Sequence, residues 1–302
     1  MLVRGTTALE AGINPALGLM LFVTFLQVPL AALAQAFSRV RFLAALFTAN
    51  FIAVPVLVAG LVQLLPANPM VRLGVLMVLL TPCIDYVVTF SQLGRADARL
   101  LLAATPALLI AQMLLLPAYL HLLLGDSASG LIQSGPFVHA FVWLIAVPLV
   151  LAVAMQSWAS RHWAGERISA ALGVLPVPST ALVLFVVIAS VVPRLAPAVG
   201  SALTVAPIYV AFSIAAPLLG WGVARAFQLD NAAARAVAFS ASTRNSLVVL
   251  ALAFAVPGAI PVLPAVIVTQ TLVELLSELV YVRLLPKLGA GASSASSSQP
   301  SR

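Results

Sequence analysis

Hydrophobic positions along this chain do not alternate; they run. Apolar stretches fall at 16–37, 42–65, 70–92, 100–124, 137–157, 168–192, 201–227, 233–256 and 262–285. A helix of about 20 such residues crosses the hydrocarbon core of a bilayer. Continuous runs exclude the period-two alternation of barrel strands. The pattern therefore predicts an all-α polytopic membrane protein with nine transmembrane helices. Pro and Gly punctuate the joins, as in Pro66-Ala67-Asn68-Pro69, Gly125-Asp126-Ser127, Pro193-Arg194 and Pro257-Gly258. The small, polar tail 289–302 predicts disorder on the cytoplasmic side. Residues 1–15 are too short and polar to span, and read as the exit of a helix that the chain lacks.

Two runs are interrupted by polar residues. The third reads Leu79-Leu80-Thr81-Pro82-Cys83-Ile84-Asp85-Tyr86. Pro82 removes a backbone donor and clashes with the preceding turn, so the helix should kink or break there. The eighth reads Phe239-Ser240-Ala241-Ser242-Thr243-Arg244-Asn245-Ser246. Its hydroxyl and amide side chains compete with the helical ladder. Backbone freed at either break needs a partner or a water-filled cavity.

Composition excludes whole classes. Charged residues make up 8% of the 302 positions and apolar residues 63%; a soluble domain carries about 25% charged residues. A soluble enzyme and a disordered chain are both ruled out. Cys83 is the only cysteine, so no intrachain disulfide can form. No cleavable signal peptide is recognisable at the N-terminus.

The positive charges fix a topology. Placed on alternating loops, eleven fall on one side (Arg39, Arg41, Arg95, Arg99, Arg161, Arg167, Arg225, Arg235, Arg283, Lys287, Arg302) and three on the other (Arg4, Arg72, Arg194). The richer side is cytoplasmic by the positive-inside rule. The C-terminus is then cytoplasmic and the N-terminus outside, in the cell (inner) membrane. The basic excess needs no nucleic-acid partner, and no obligatory protein partner is expected beside the lipid bilayer.

An ionised side chain at mid-bilayer costs roughly 2.5–3.5 kcal/mol on insertion scales. Asp85, Arg244, Glu274 and Glu278 are therefore functional candidates. Arg244 lies about 17 Å from either end of its run at 1.5 Å per residue, too far to snorkel easily. It requires an anion, either Asp85 or a substrate; a structural Arg244–Asp85 pair is the bland alternative. Gln270, Glu274 and Glu278 fall on one helical face at i, i+4, i+8. Glu278 is read as an interfacial pair with Arg283, and Glu274 as a structural or coupling acid. Gln27, Asn50 and Gln112 are read as makers of interhelical hydrogen bonds. His121, His139 and His162 do not cluster with acids, so no metal site and no cofactor is expected.

Two interrupted runs in corresponding places suggest inverted repeats. Residues 1–130 would form the first repeat without its first helix, and 131–288 the second. At this point the chain resembles the bile acid:sodium symporter superfamily, and within it the arsenical-resistance permease branch. Residues 14–26 resemble that branch's first well-kept helix. Cys83-Ile84, Tyr86-Val87-Val88 and Gly94-Arg95-Ala96-Asp97 are similar to its cysteine-bearing fourth helix. Residues 238–246 are similar to the superfamily's ninth helix, and Leu272-Val273-Glu274 to its tenth. The resemblance implies a ten-helix fold of two inverted five-helix repeats, with two discontinuous helices crossing at the site. The chain departs from the family where acids are expected on the ninth helix, at Ser240 and at Ser246-Leu247, and carries Arg244 instead.

The expected function is an ion-coupled secondary transporter exporting arsenite or a related metalloid oxyanion. The alternative is a sodium- or proton-coupled symporter of a small organic anion. Cys83, Asp85, Arg244 and Asn245 are the expected substrate-binding residues. Thr81, Pro82, Ser240, Ser242, Thr243, Ser246, Gln270 and Glu274 are expected to support binding or coupling to H+ or Na+. A membrane-embedded enzyme is not expected, since no Gly-x-Ser-x-Gly, Gly-x-Gly-Asp or intramembrane histidine is present.

Overall fold

A computed structural model describes residues 6–27, 39–84, 86–125, 142–176, 178–179, 181–182, 198–254, 256, 258 and 261–288. Asp85, the tail 289–302 and most of the predicted run 168–192 lie outside these residues.

The described residues are helical. The helices in chain order are α1 (Thr6–Leu26), α2 (Val40–Val62), α3 (Pro69–Leu79), α4 (Tyr86–Leu93), α5 (Ala98–Leu124), α6 (Val147–Ala159), α7 (Trp163–Leu172), α8 (Val199–Ala226), α9 (Asn231–Ser242), α10 (Ser246–Phe254) and α11 (Val262–Leu284). Four helical stretches are long and apolar enough to cross a membrane: Val40–Val62, Ala98–Leu124, Val199–Ala226 and Val262–Lys287. The two runs expected to be interrupted are interrupted. The runs 70–92 and 233–256 are each two short helices separated by non-helical residues.

The N-terminal expectation changes. Helix α1 begins at Thr6, so residues 6–15 belong to a helix instead of preceding one. Once a helix is nucleated, each further residue adds a backbone bond, so a polar side chain alone does not end it.

Asx caps start several helices, as their sequence positions suggest. Asn68 accepts from the N–H groups of Met70 and Val71, Asp97 from Leu100, and Asp230 from Ala232 and Ala233. Helix α2 contains a π turn over Ala49–Ala53, just before Pro55. Proline cannot donate in the ladder, and a wider turn accommodates the lost bond. That turn carries Asn50.

Two packing groups emerge. Helices α1, α6 and α7 pack on one another, and α1 reaches α10. Helices α2, α3, α4, α5, α8, α9 and α11 form the other group around α9 and α11. Small residues let helices approach closely inside it. A Cβ on Gly220 of α8 would lie 2.7 Å from the Cβ of Ala241 and 3.0 Å from the Cα of Ala238, on α9. A Cβ on Gly94 would strike the Phe239 ring. These contacts set α9, and with it the second break, at the centre of the group.

Candidate functional site at the crossing of two broken helices

Helix α3 stops at Leu79, and α4 starts at Tyr86. Thr81 turns its hydroxyl back onto the carbonyls of Met77 (3.0 Å) and Val78 (3.1 Å), satisfying the last turn. Helix α9 stops at Ser242, whose hydroxyl reaches the carbonyls of Ala238 (3.0 Å) and Phe239 (3.1 Å). Thr243 takes an extended conformation. Side-chain competition with the ladder thus ends the second helix, and proline ends the first.

The two breaks satisfy one another. Pro82 and Arg244 form an isolated antiparallel bridge. The Cys83 N–H donates to the Thr243 carbonyl at 3.0 Å, and the Asn245 N–H to the Thr81 carbonyl at 2.8 Å. Backbone groups that the hydrocarbon core could not solvate are therefore paired across the crossing.

Arg244 is 0% exposed. Its guanidinium donates to the Leu79 carbonyl (3.2 Å), the Asn50 Oδ1 (3.0 Å) and the Ser240 carbonyl (2.5 Å). The Phe212 ring lies 5.5 Å from the guanidinium carbon, within cation–π range. These partners are neutral oxygens and an aromatic face. Its Nε finds no partner.

The charge is balanced from the backbone side. Glu274, 2% exposed, accepts the Arg244 N–H at 2.7 Å and the Gln270 amide at 2.5 Å on one oxygen. Its other oxygen meets the Tyr86 hydroxyl at 2.5 Å, and that hydroxyl also lies 3.1 Å from the Arg244 carbonyl. Gln270 in turn accepts from Ser246 at 2.8 Å. Two N–H donors and a hydroxyl converge on one carboxyl group.

Thr81, Pro82, Cys83, Ser240, Ser242, Thr243, Arg244, Asn245, Ser246, Gln270 and Glu274 all meet at this crossing. Asp85 lies outside the described residues, between Ile84 and Tyr86. Two expectations are corrected. Glu278 does not lie at the interface beside Arg283: it is 0% exposed, and its Oε1 meets the Thr243 hydroxyl at 2.5 Å. The break at 243–245 brings Thr243 against α11, where it meets Glu278. Gln112 is buried with neither polar atom bonded among the described residues, so it makes no interhelical bond.

Asn50 does bond across helices, to Ser240 Oγ at 2.9 Å. Its second role, as the side-chain acceptor for Arg244, is one the sequence reading missed. The signal was a lone amide beside Pro55, where a π turn can aim it inward. Tyr86 and Phe212 were missed because aromatic residues in an apolar run look like ordinary core. Gln27 is exposed and donates to the Gly173 carbonyl at 3.1 Å, away from the crossing.

Among curated proteins no match to the chain is found. The family model described as the Sodium Bile acid symporter family matches residues 14–197, which include the first break and most of α1. Members of that family are transporters and not enzymes. The chain is a multi-pass membrane protein that belongs to the sodium bile acid symporter family.

Proposed function

We propose that the chain is an ion-coupled secondary transporter that moves a small anion past the crossing of its two broken helices. One observation carries this reading: a fully buried arginine at the crossing is held by neutral oxygens, while its balancing acid engages only its backbone N–H. An anion arriving at the crossing would meet a positive charge whose guanidinium has a donor to spare.

The family name implies sodium as the driving ion. Carbonyl and amide oxygens of the kind a hard cation uses surround Arg244 here, and the guanidinium already occupies them. Proton coupling is therefore the competing choice of driving ion. The loop charges favour a cytoplasmic C-terminus and a cell-membrane location.

A second reading, export of arsenite, rests on Cys83. Its thiol sits inside the first break, and its N–H bonds Thr243 across the crossing, so a thiophilic metalloid would meet a soft ligand there.

Uptake into proteoliposomes separates these readings. Radiolabelled taurocholate, pyruvate and arsenite would be offered under a sodium gradient, a proton gradient and no gradient. Gradient-driven accumulation of an organic anion that Arg244→Gln abolishes supports the first reading. Accumulation of arsenite alone, lost in Cys83→Ser, supports the second. No accumulation of any of the three under either gradient contradicts both.

A further inference from the structure

Glu274 and Glu278 are one turn apart on α11 and both buried, yet their surroundings differ. Glu274 receives two N–H donors, from Arg244 and Gln270, and both its oxygens are bonded, the second to the Tyr86 hydroxyl, which also lies 3.1 Å from the Arg244 carbonyl. Glu278 has one contact, to the Thr243 hydroxyl. That hydroxyl also lies 2.7 Å from the Phe239 carbonyl. A threonine carries one hydroxyl hydrogen, and a carbonyl can only accept. If Thr243 donates to Phe239, the hydrogen between Thr243 and Glu278 must come from the acid. The other oxygen of Glu278 is buried with no partner among the described residues. A carboxylate in that position would leave a full charge half-solvated by nothing, whereas a neutral acid leaves only a weak acceptor unpaired. Two ionised acids one turn apart would also repel, and Glu274 already has the donors of an anion.

The geometry points to Glu278 as a proton-binding site that bonds directly to the second break, through Thr243. Among the described residues, the charged and titratable groups around it are few. Glu274, Tyr281 and Arg283 share its helix, the Tyr281 hydroxyl bonds the Ser213 carbonyl of α8, Arg225 of α8 turns to the Leu229 carbonyl, and Arg235 of α9 to the Pro286 carbonyl. Across the break stands Arg244, and α4 contributes Tyr86, which is bound to Glu274. Helix α8 also contributes Tyr209, which is buried. Arg72 of α3 turns to the carbonyls of Leu65 and Pro66, α10 carries no titratable side chain, and Lys287 follows in the terminal 3-10 turn.

The chain of bonds gives the proton a consequence. Thr243 also accepts the Cys83 N–H, so one residue joins the acid to both broken helices. Losing the proton would turn the Thr243 hydroxyl hydrogen toward the carboxylate and break its bond to the Phe239 carbonyl at the end of α9. Use of this proton to drive transport rests on the function proposed above; its presence in the resting protein does not.

Infrared spectroscopy of the purified full-length protein reads the proton without any substrate. At neutral pH the wild type should show a protonated-carboxyl stretching band that Glu278→Gln removes and Glu274→Gln keeps. Gln at 278 can still donate to Thr243, so this variant should fold. Thr243→Ala should shift the band, because the acid loses its acceptor. Absence of the band in the wild type, or its survival in Glu278→Gln, would overturn the assignment. If the infrared result holds while no anion is transported, the transport reading fails and the proton site stands.

Discussion

The two breaks at the crossing are made and held differently. The first, at Thr81–Ile84, is imposed by Pro82, and bonds through backbone groups and the Thr81 hydroxyl hold it. The second, at Thr243–Asn245, contains no proline. It is held open by side chains: Glu274 on the Arg244 N–H, Asn50 on the guanidinium, and Glu278 on Thr243. A break that a ring imposes persists without help. A break that neighbouring acids hold can respond to charge, and the second is therefore the place where an ion or anion could change the shape of the protein.

The difference can be broken by substitution, and the costs should fall in a definite order. Glu274→Ala comes first, because it strands two N–H donors and leaves Arg244 without its balancing charge. Removing one partner of a buried charged pair costs about 3–5 kcal/mol, and we expect loss of monodisperse protein on size-exclusion chromatography. Asn50→Ala comes next. It removes an acceptor from Arg244 and a donor to Ser240, and leaving buried groups unpaired costs about 1–3 kcal/mol each; the melting midpoint in detergent should drop while the protein remains monodisperse.

The first break should be more tolerant. Pro82→Ala removes the ring, but the backbone bonds from Cys83 to Thr243 and from Asn245 to Thr81 still hold the break open, so stability should change by about 1 kcal/mol or less, within the range of most single substitutions. A midpoint drop as large as that of Asn50→Ala would erase the asymmetry between the breaks. The smallest effect belongs to a residue away from both. Gln112→Leu replaces a buried amide with no bonded partner among the described residues, and should leave the midpoint unchanged or raise it.

Both breaks were legible in the sequence, for reasons that are local. Proline inside an apolar run and a cluster of hydroxyls around an arginine each disturb the helical ladder within a turn. The depth of Arg244 followed from its distance to the ends of its run. What could not be read was who answers whom. Arg244 was expected to need an anion at its guanidinium, yet Glu274 binds its backbone N–H, a group every residue carries and no pattern marks. Asn50 lies 194 residues away in sequence, and only the π turn before Pro55 aims it at the guanidinium. Glu278 was assigned by proximity to Arg283 along the chain. Its true neighbour, Thr243, becomes visible only once the break exposes that residue to α11.

The central claim is that the crossing lies on the transport path, and Cys83 allows it to be tested with no substrate in hand. It is the only cysteine of the chain and is buried at the first break. The measurement is the rate at which a membrane-impermeant thiol reagent modifies Cys83 in sealed right-side-out and inside-out vesicles. The account predicts slow modification from both faces, altered by a sodium or proton gradient, because alternating access must open the crossing to each side in turn. Protection from both faces under every gradient, with rapid labelling only after denaturation, would contradict it.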